Sequence, residues 1–445
     1  MKKILILGAG FSSTVMIKYL LEKSQENNWF VTVGDANKSL AEKKVNNHLR
    51  GKAIEFDIYN EELKKREISQ ADVVISFLPA FMHPLVAKEC LLHGKNMITA
   101  SYVSPEMKSI SAEVKEKGLV FLNELGVDPG IDHMSAMKII DEIRNKGGKL
   151  KAFYSNTGGL IAPESDNNPW HYKFTWNPRN VILAGQGTAK YLENGTIKYI
   201  PYHQLFKRLY RVNVLDLGDF DVYANRDSLS YREVYGLDDI PTIFRGTMRR
   251  PGYCQAWNVF VQLGITDDTY IVENSENITY RDFINMYLPY DTKLSVEEKI
   301  CKMFNLLPDS IEMQLIKWTG IFEKQVVGLK NASPAKILQH LLEQKWKLEP
   351  GDKDMIVMQH IFQYELNGKI HQIKSSLIVK GETEDNTAMA ITVGMPVAFA
   401  TEMLLKDEIQ LKGVIVPVLP ELYNPILNKL ENIGIKFIEE YEEIV

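Results

Sequence analysis

Residues 8–13 read Gly8-Ala9-Gly10-Phe11-Ser12-Ser13, and the acidic Asp35 follows Ser13 at about the roughly 20-residue spacing of a ribose-binding carboxylate. Together they describe a dinucleotide site. Gly8 permits a tight turn. Gly10 lets the backbone approach a pyrophosphate, whose charge is met by free N–H groups and the positive end of a helix dipole. Phe11 and Ser12 open that helix and join the glycines as candidate cofactor contacts. Ser13 stands where a third glycine is usual; a small residue suits the close packing needed there, and its hydroxyl can reach a phosphate. Asp35 favours NAD, because its two acceptor oxygens suit a ribose diol and repel a 2′-phosphate, which normally meets an arginine. NADP stays open through Lys38 if Asp35 turns away.

Such a turn needs a sheet behind it. Lys2-Lys3-Ile4-Leu5-Ile6-Leu7 runs into it, Val31-Thr32-Val33-Gly34 reads as a second strand, and the run from Ala71 to Leu78 reads as a later buried one, with helical stretches between them. Alternating strands and helices imply an α/β fold with a Rossmann-type parallel sheet. Residues 96–100 and 118–123 add two strands, the first after a helix over 84–92. Ligands gather at the carboxyl ends of strands in an open parallel sheet. That rule singles out 8–13, Asp35, 78–83, 100–102 and 124–128. Leu78, Pro79, His83, Ser101, Leu125, Val127 and Asp128 are therefore candidate cofactor contacts, with a helix start or a satisfied polar contact favoured over catalysis for His83.

From about Lys149 the texture changes to mixed strands, aromatic residues and turns, which reads as a second domain. Residues 295–347 carry helical spacing at Ile300, Met303, Phe304 and Leu307, and Asp309 and Ser333 suit helix starts. Strand patterns return at 353–360 and 369–379, and 413–417 with 435–439 read as returning to the edge of the first domain. The expected organisation is a dinucleotide-binding domain over 1–125, completed by 390–445, then an α+β domain with a mixed sheet for substrate and dimerisation over 126–292 and 348–389. Residues 293–347 form a helical insert. The apolar run 388–401 is too short to span a bilayer and reads as a buried helix with Pro396 near its first turn.

At 445 residues two or three domains are expected. The net charge of −5, from 52 basic and 57 acidic side chains, provides no basic field for nucleic acid or an anionic membrane. Cys90, Cys254 and Cys301 are odd in number and lack CxxC spacing, which fits a reducing cytoplasm. The start imitates a signal peptide, but its apolar run stops at Gly8, short of the roughly 7–15 residues such a core needs. No HxH, HExxH or Cys/His cluster has metal-ligand spacing, so no metal is expected, and neither a GxSxG nor a Walker loop occurs.

Three further segments, residues 99–102 (Thr-Ala-Ser-Tyr), 123–133 (Asn-Glu-Leu-Gly-Val-Asp-Pro-Gly-Ile-Asp-His) and 158–164 (Gly-Gly-Leu-Ile-Ala-Pro-Glu), resemble the glutamate-forming saccharopine dehydrogenases, also called saccharopine reductases. Support continues at 172–176, which contains Thr175, at 225–228, 245–249, 388–390 and 394–396, in order along nearly the whole chain. The resemblance implies an enzyme of lysine metabolism and a homodimer formed through the second domain. Saccharopine is a lysine whose ε-nitrogen is also the α-nitrogen of a glutamate. Oxidation removes a hydride from the carbon beside that amine, and water splits the imine into glutamate and 2-aminoadipate 6-semialdehyde.

Three substrate carboxylates call for guanidinium forks, which bind a carboxylate in two places. The resemblance places them at Arg226 and Arg249, with Thr247 and Met248 beside the second; Arg245 and Arg250 are neighbours able to substitute. It also places substrate at Ser101, Tyr102 and Asp128, and adds Thr175 to the cofactor contacts. The amine must lose a proton before hydride leaves, so a base is needed. Asp128 is the candidate, with Tyr102 as orienting or donating partner, although Asp-Pro-Gly is also a common turn. The family often has cysteine where this chain has Thr157, which removes any thiol from the proton work. The competing readings are a dehydrogenase of another carboxylated amine, of the carboxyspermidine type, and a dinucleotide-binding sensor without chemistry.

Overall fold

The computed structural model describes residues 1–444, which divide into two compact units. The first comprises Met1–Lys149 and Gly381–Phe437. Its seven-stranded sheet runs, edge to edge, Gly51–Glu55, Trp29–Asp35, Lys2–Leu7, Val73–Ser76, Asn96–Thr99, Val120–Leu122 and Gly413–Ile415. The pairings are all parallel, with Ile4 beside both Val31 and Val73. The order is that of a doubly wound dinucleotide fold, extended by one strand, and it reverses between Lys2–Leu7 and Val73–Ser76. Central strands are apolar and buried along their length because helices cover both faces: Val73–Ser76 is wholly buried.

One of those helices is Ala388–Leu405, long and apolar enough to cross a membrane yet almost entirely buried within this unit. Pro396 lies in its interior rather than in the first turn expected. The helix packs on Thr14–Ser24, where Tyr19 meets Phe399 edge-on at 5.5 Å. At its far end the buried Glu402 accepts from Tyr19 (2.8 Å), Lys406 (2.6 Å) and Lys429 (3.2 Å). Burial works to raise the Glu402 carboxyl, but these donors outweigh it and the net displacement is downward.

The second unit comprises Leu150–Lys380 and the strand Ile438–Ile444. Its nine-stranded sheet orders as Tyr210–Asn213, Asp219–Ala224, Thr242–Arg249, Lys149–Ile161, Asp354–Leu366, Lys369–Lys380 and Ile438–Ile444, and the hairpin Thr188–Glu193/Thr196–Pro201 joins at Thr242–Arg249. The sheet is mixed: Thr242–Arg249 pairs in parallel with Lys149–Ile161 and antiparallel with Asp219–Ala224.

Three boundaries differ from expectation. The helix Ile131–Asn145 belongs to the first unit, which shifts the division from 125 to 149. Ile438–Ile444 leaves the first unit to pair with Lys369–Lys380, whereas Gly413–Ile415 does complete the parallel sheet. Residues 293–347 are helical, but they are no separate insert. Ile300, Met313, Ile316, Leu338 and Leu342 share one core with Trp170, Trp257 and Trp346 from the rest of the unit. Ser333 caps its helix as expected; Ser310, one residue after Asp309, caps Ile311–Trp318.

Candidate active-site residues in each unit

In the first unit, Gly8 ends the strand with φ +105, and a Cβ there would stand 2.7 Å from the Phe77 carbonyl oxygen. Only glycine fits. A Cβ on Gly10 would meet nothing within 4 Å, so the turn is open above it as close approach of a pyrophosphate requires. Ser13 is fully buried, and its hydroxyl donates to the Gly10 carbonyl at 3.0 Å rather than facing a phosphate. Asp35 closes the neighbouring strand half-buried. Its Oδ2 accepts the Ala9 N–H at 2.7 Å and its Oδ1 the Asn37 N–H at 2.8 Å. The carboxylate thereby locks onto the glycine turn. Phe11 and Phe81 are exposed aromatics beside the two strand ends where the sheet order reverses.

His83 begins the helix His83–His93 and is buried. Its Nδ1 lies 2.8 Å from Ser76 Oγ and its Nε2 2.7 Å from Ser101 Oγ. Burial lowers its pKa to about 4, so the ring is neutral near pH 7 and orients the Ser101 hydroxyl as a hydrogen-bond partner. Leu78 is half-buried and Pro79 exposed before it, while Leu125 and Val127 turn their side chains into the core. Those last two have only backbone to offer a cofactor.

Tyr102 and Asp128 come together: the phenol hydroxyl donates to Asp128 Oδ1 at 3.3 Å. Two further residues lay within the segments that the sequence singled out but were given no role there. Glu124 has a left-handed backbone (φ 57), and its Oε2 lies 2.7 Å from Nε2 of the fully buried His133. The nine-residue separation of this pair carries no helical or strand period. The available signal was an ionisable residue ending a buried strand.

In the second unit, Thr247 stands opposite Thr157 on one neighbouring strand and Tyr223 on the other, and Arg249 lies two residues on, on the same sheet face. The hydroxyls of Thr157 and Thr175 have no hydrogen-bond partner among the described residues. Met248 points to the opposite face and is fully buried in the core, so only its backbone is available. Arg249 is buried among the rings of Tyr172, Tyr253 and Tyr223, at 5.1, 5.3 and 5.8 Å from their centroids. Burial disfavours its charge, but the tyrosine oxygens outweigh that and its pKa lies above the ordinary value. Its Nη1 donates to the Met248 carbonyl at 2.9 Å, Nε has no partner, and no ion pair to it is found among the described residues.

Arg226 is exposed with a left-handed backbone (φ 46), beyond the end of Asp219–Ala224. The antiparallel register puts Asn225 opposite Arg245 and so Arg226 one residue further on, level with Phe244, five residues from Arg249 and so roughly 17 Å along the strand. The two proposed forks are therefore not adjacent. Arg245 stacks over Tyr231 at 4.0 Å, and Arg250 donates to the Leu217 carbonyl at 2.7 Å over the Phe220 ring. Those contacts occupy both alternative arginines with the protein itself.

A glycine turn locked to an acidic strand end, at the reversal point of this strand order, is the signature of a nicotinamide-dinucleotide oxidoreductase. Two family models divide the chain between them, the saccharopine dehydrogenase NADP binding domain over residues 4–122 and the saccharopine dehydrogenase C-terminal domain over 126–435. The chain belongs to the saccharopine dehydrogenase family. It is 33% identical over 449 residues to saccharopine dehydrogenase [NADP(+), L-glutamate-forming] of Schizosaccharomyces pombe, covering 99% of each chain. It is 34% identical to the mitochondrial alpha-aminoadipic semialdehyde synthase of Rattus norvegicus, where it matches 98% of this chain but 47% of that one. The apo L-Glu-forming saccharopine dehydrogenase of Saccharomyces cerevisiae superposes with a TM-score of 0.89 at 30% identity, covering 99% of this chain and 100% of that one.

Proposed function

We propose that this chain interconverts saccharopine with L-glutamate and 2-aminoadipate 6-semialdehyde, using a nicotinamide dinucleotide, with NAD favoured over NADP. The observation that carries the reading is the end-to-end likeness to an L-glutamate-forming relative of the same extent, in a chain whose glycine turn is intact. When bound, the nicotinamide accepts the hydride. Gly8 and Gly10 would seat the pyrophosphate and Asp35 the ribose diol.

The remaining work falls to side chains. Asp128, with Tyr102 on one of its oxygens, takes the amine proton so that the nitrogen lone pair can expel hydride from the neighbouring carbon. Water then adds to the C=N bond, and cleavage leaves the amine on glutamate and an aldehyde on the other fragment. Arg249 supports an anionic substrate. Its Nε has no hydrogen-bond partner among the described residues, and a substrate carboxylate would supply both that acceptor and a counter-charge. The relatives carry NADP(+) in their names, but Asp35 argues otherwise here, because its charge opposes a 2′-phosphate. The test is reduced-nicotinamide absorbance when the protein meets saccharopine at alkaline pH with NAD or NADP. Turnover favouring NAD is expected; silence with both cofactors defeats the reading.

A further inference from the structure

Tyr102 is bracketed by one buried glutamate. The Glu124 N–H donates to the Ser101 carbonyl at 3.1 Å, and Glu124 Oε1 accepts the Val103 N–H at 2.9 Å. The residue between those two anchors is the tyrosine that reaches Asp128. The other carboxylate oxygen is held by His133, in the first turn of Ile131–Asn145.

That same turn anchors the Asp128 side. Ile131 N–H donates to the Gly126 carbonyl at 2.9 Å and Asp132 N–H to the Val127 carbonyl at 3.0 Å. Asp132 Oδ1 accepts the Gly130 N–H at 2.6 Å. Both partners of the 3.3 Å Tyr102–Asp128 contact thus trace back to one knot of Glu124, His133 and Asp132.

Glu124 holds its place at a cost. A left-handed backbone on a non-glycine residue costs about 1–2 kcal/mol, which glycine would avoid. What glycine lacks is a carboxylate able to accept from a backbone N–H and an imidazole N–H at once.

We propose that Glu124 is the positioning residue of the Tyr102–Asp128 pair, with His133 fixing its carboxylate. The proposal rests on the reading that this pair handles the substrate's amine proton. Displacing a catalytic contact by about 1 Å can lower a rate on the order of a hundredfold.

The experiment is a double-mutant cycle of Glu124→Gln and Tyr102→Phe, reading kcat for saccharopine, KM for NAD and the pH profile of kcat. Glu124→Gln is expected to lower kcat at least about tenfold and move the profile while leaving KM for NAD within about twofold; in the Tyr102→Phe background the loss should shrink to about threefold or less. Equal losses in both backgrounds overturn the proposal. Should Glu124→Gln fail to fold, Glu124→Asp keeps the charge but shortens the reach, and it faces the same cycle. Amide exchange by mass spectrometry over residues 101–104 needs no substrate. Faster exchange in the variant than in the wild type is expected, and an unchanged rate refutes the bracket. If the wild type turns over no saccharopine, the assigned reaction falls, and exchange still decides whether Glu124 holds the tyrosine.

Discussion

Asp35→Asn separates the two roles that the carboxylate combines. The substitution keeps the shape and one acceptor oxygen, so either the Ala9 or the Asn37 N–H retains its bond, and it removes the charge. For an NADP 2′-phosphate carrying about −2 charge roughly 5 Å from the carboxylate, at an effective dielectric of about 40–80, the repulsion is about 2–3 kcal/mol. The proposal therefore predicts a roughly 30- to 150-fold preference for NADH over NADPH in the wild type. In Asp35→Asn most of this preference should vanish through tighter NADPH binding, while NADH weakens only by about the 1 kcal/mol of a ribose hydrogen bond. Fluorescence titration of both reduced cofactors at low and high salt measures it, and the wild-type ratio should shrink as salt screens the half-buried charge. If NADPH affinity is the same in both proteins, the electrostatic argument is refuted and Asp35 merely ties down the turn.

Gly8→Ala places a Cβ against the Phe77 carbonyl at a backbone angle alanine avoids, so NADH titration should show binding lost by at least about tenfold. For Arg226→Ala, KM for saccharopine should rise about 10- to 100-fold with KM for NAD nearly unchanged, because a charge-assisted contact to one ligand is removed; steady-state kinetics with each substrate varied will show it. Glu402→Gln should cost on the order of 1–2 kcal/mol at neutral pH, by thermal unfolding. The folded pKa of Glu402 is depressed below its ordinary 4.5, so its contribution is fully present above that value and is lost as pH falls through the folded pKa. The melting difference between Glu402→Gln and wild type should therefore close in acid.

The first unit was legible in sequence because its signals are local. A buried strand, a turn that only glycine can make and an acid at the next strand end each lie within a short window, and the parallel order follows from their alternation. The second unit was less legible, because its boundaries depend on which apolar face meets which. The helical pattern over 295–347 was read correctly, yet its independence was not. The apolar faces of those helices close over Trp170 and Trp346, and nothing local in the sequence reports that partnership.

The candidate site divides along the same line. Asp128 and Tyr102 were found because they fall at strand ends of a parallel sheet, where ligands gather, and because the family resemblance places substrate contacts there. The orientation of Met248 was not legible, because strand alternation sends Thr247 and Arg249 to one face and Met248 to the other only once the register is known. Glu124 and His133 were overlooked for a deeper reason. Both lie inside a motif already used as a marker of family likeness, and the sequence neighbour of His133, Asp132, keeps its oxygen 3.9 Å from the ring. Its close partner is the carboxylate that the chain folds back to meet. A buried carboxylate contributes little to stability unless its partners are well placed, and placing one on a left-handed backbone adds strain. Where burial, strain and desolvation all oppose a residue, its retention is better explained by what it holds in place than by the stability it adds.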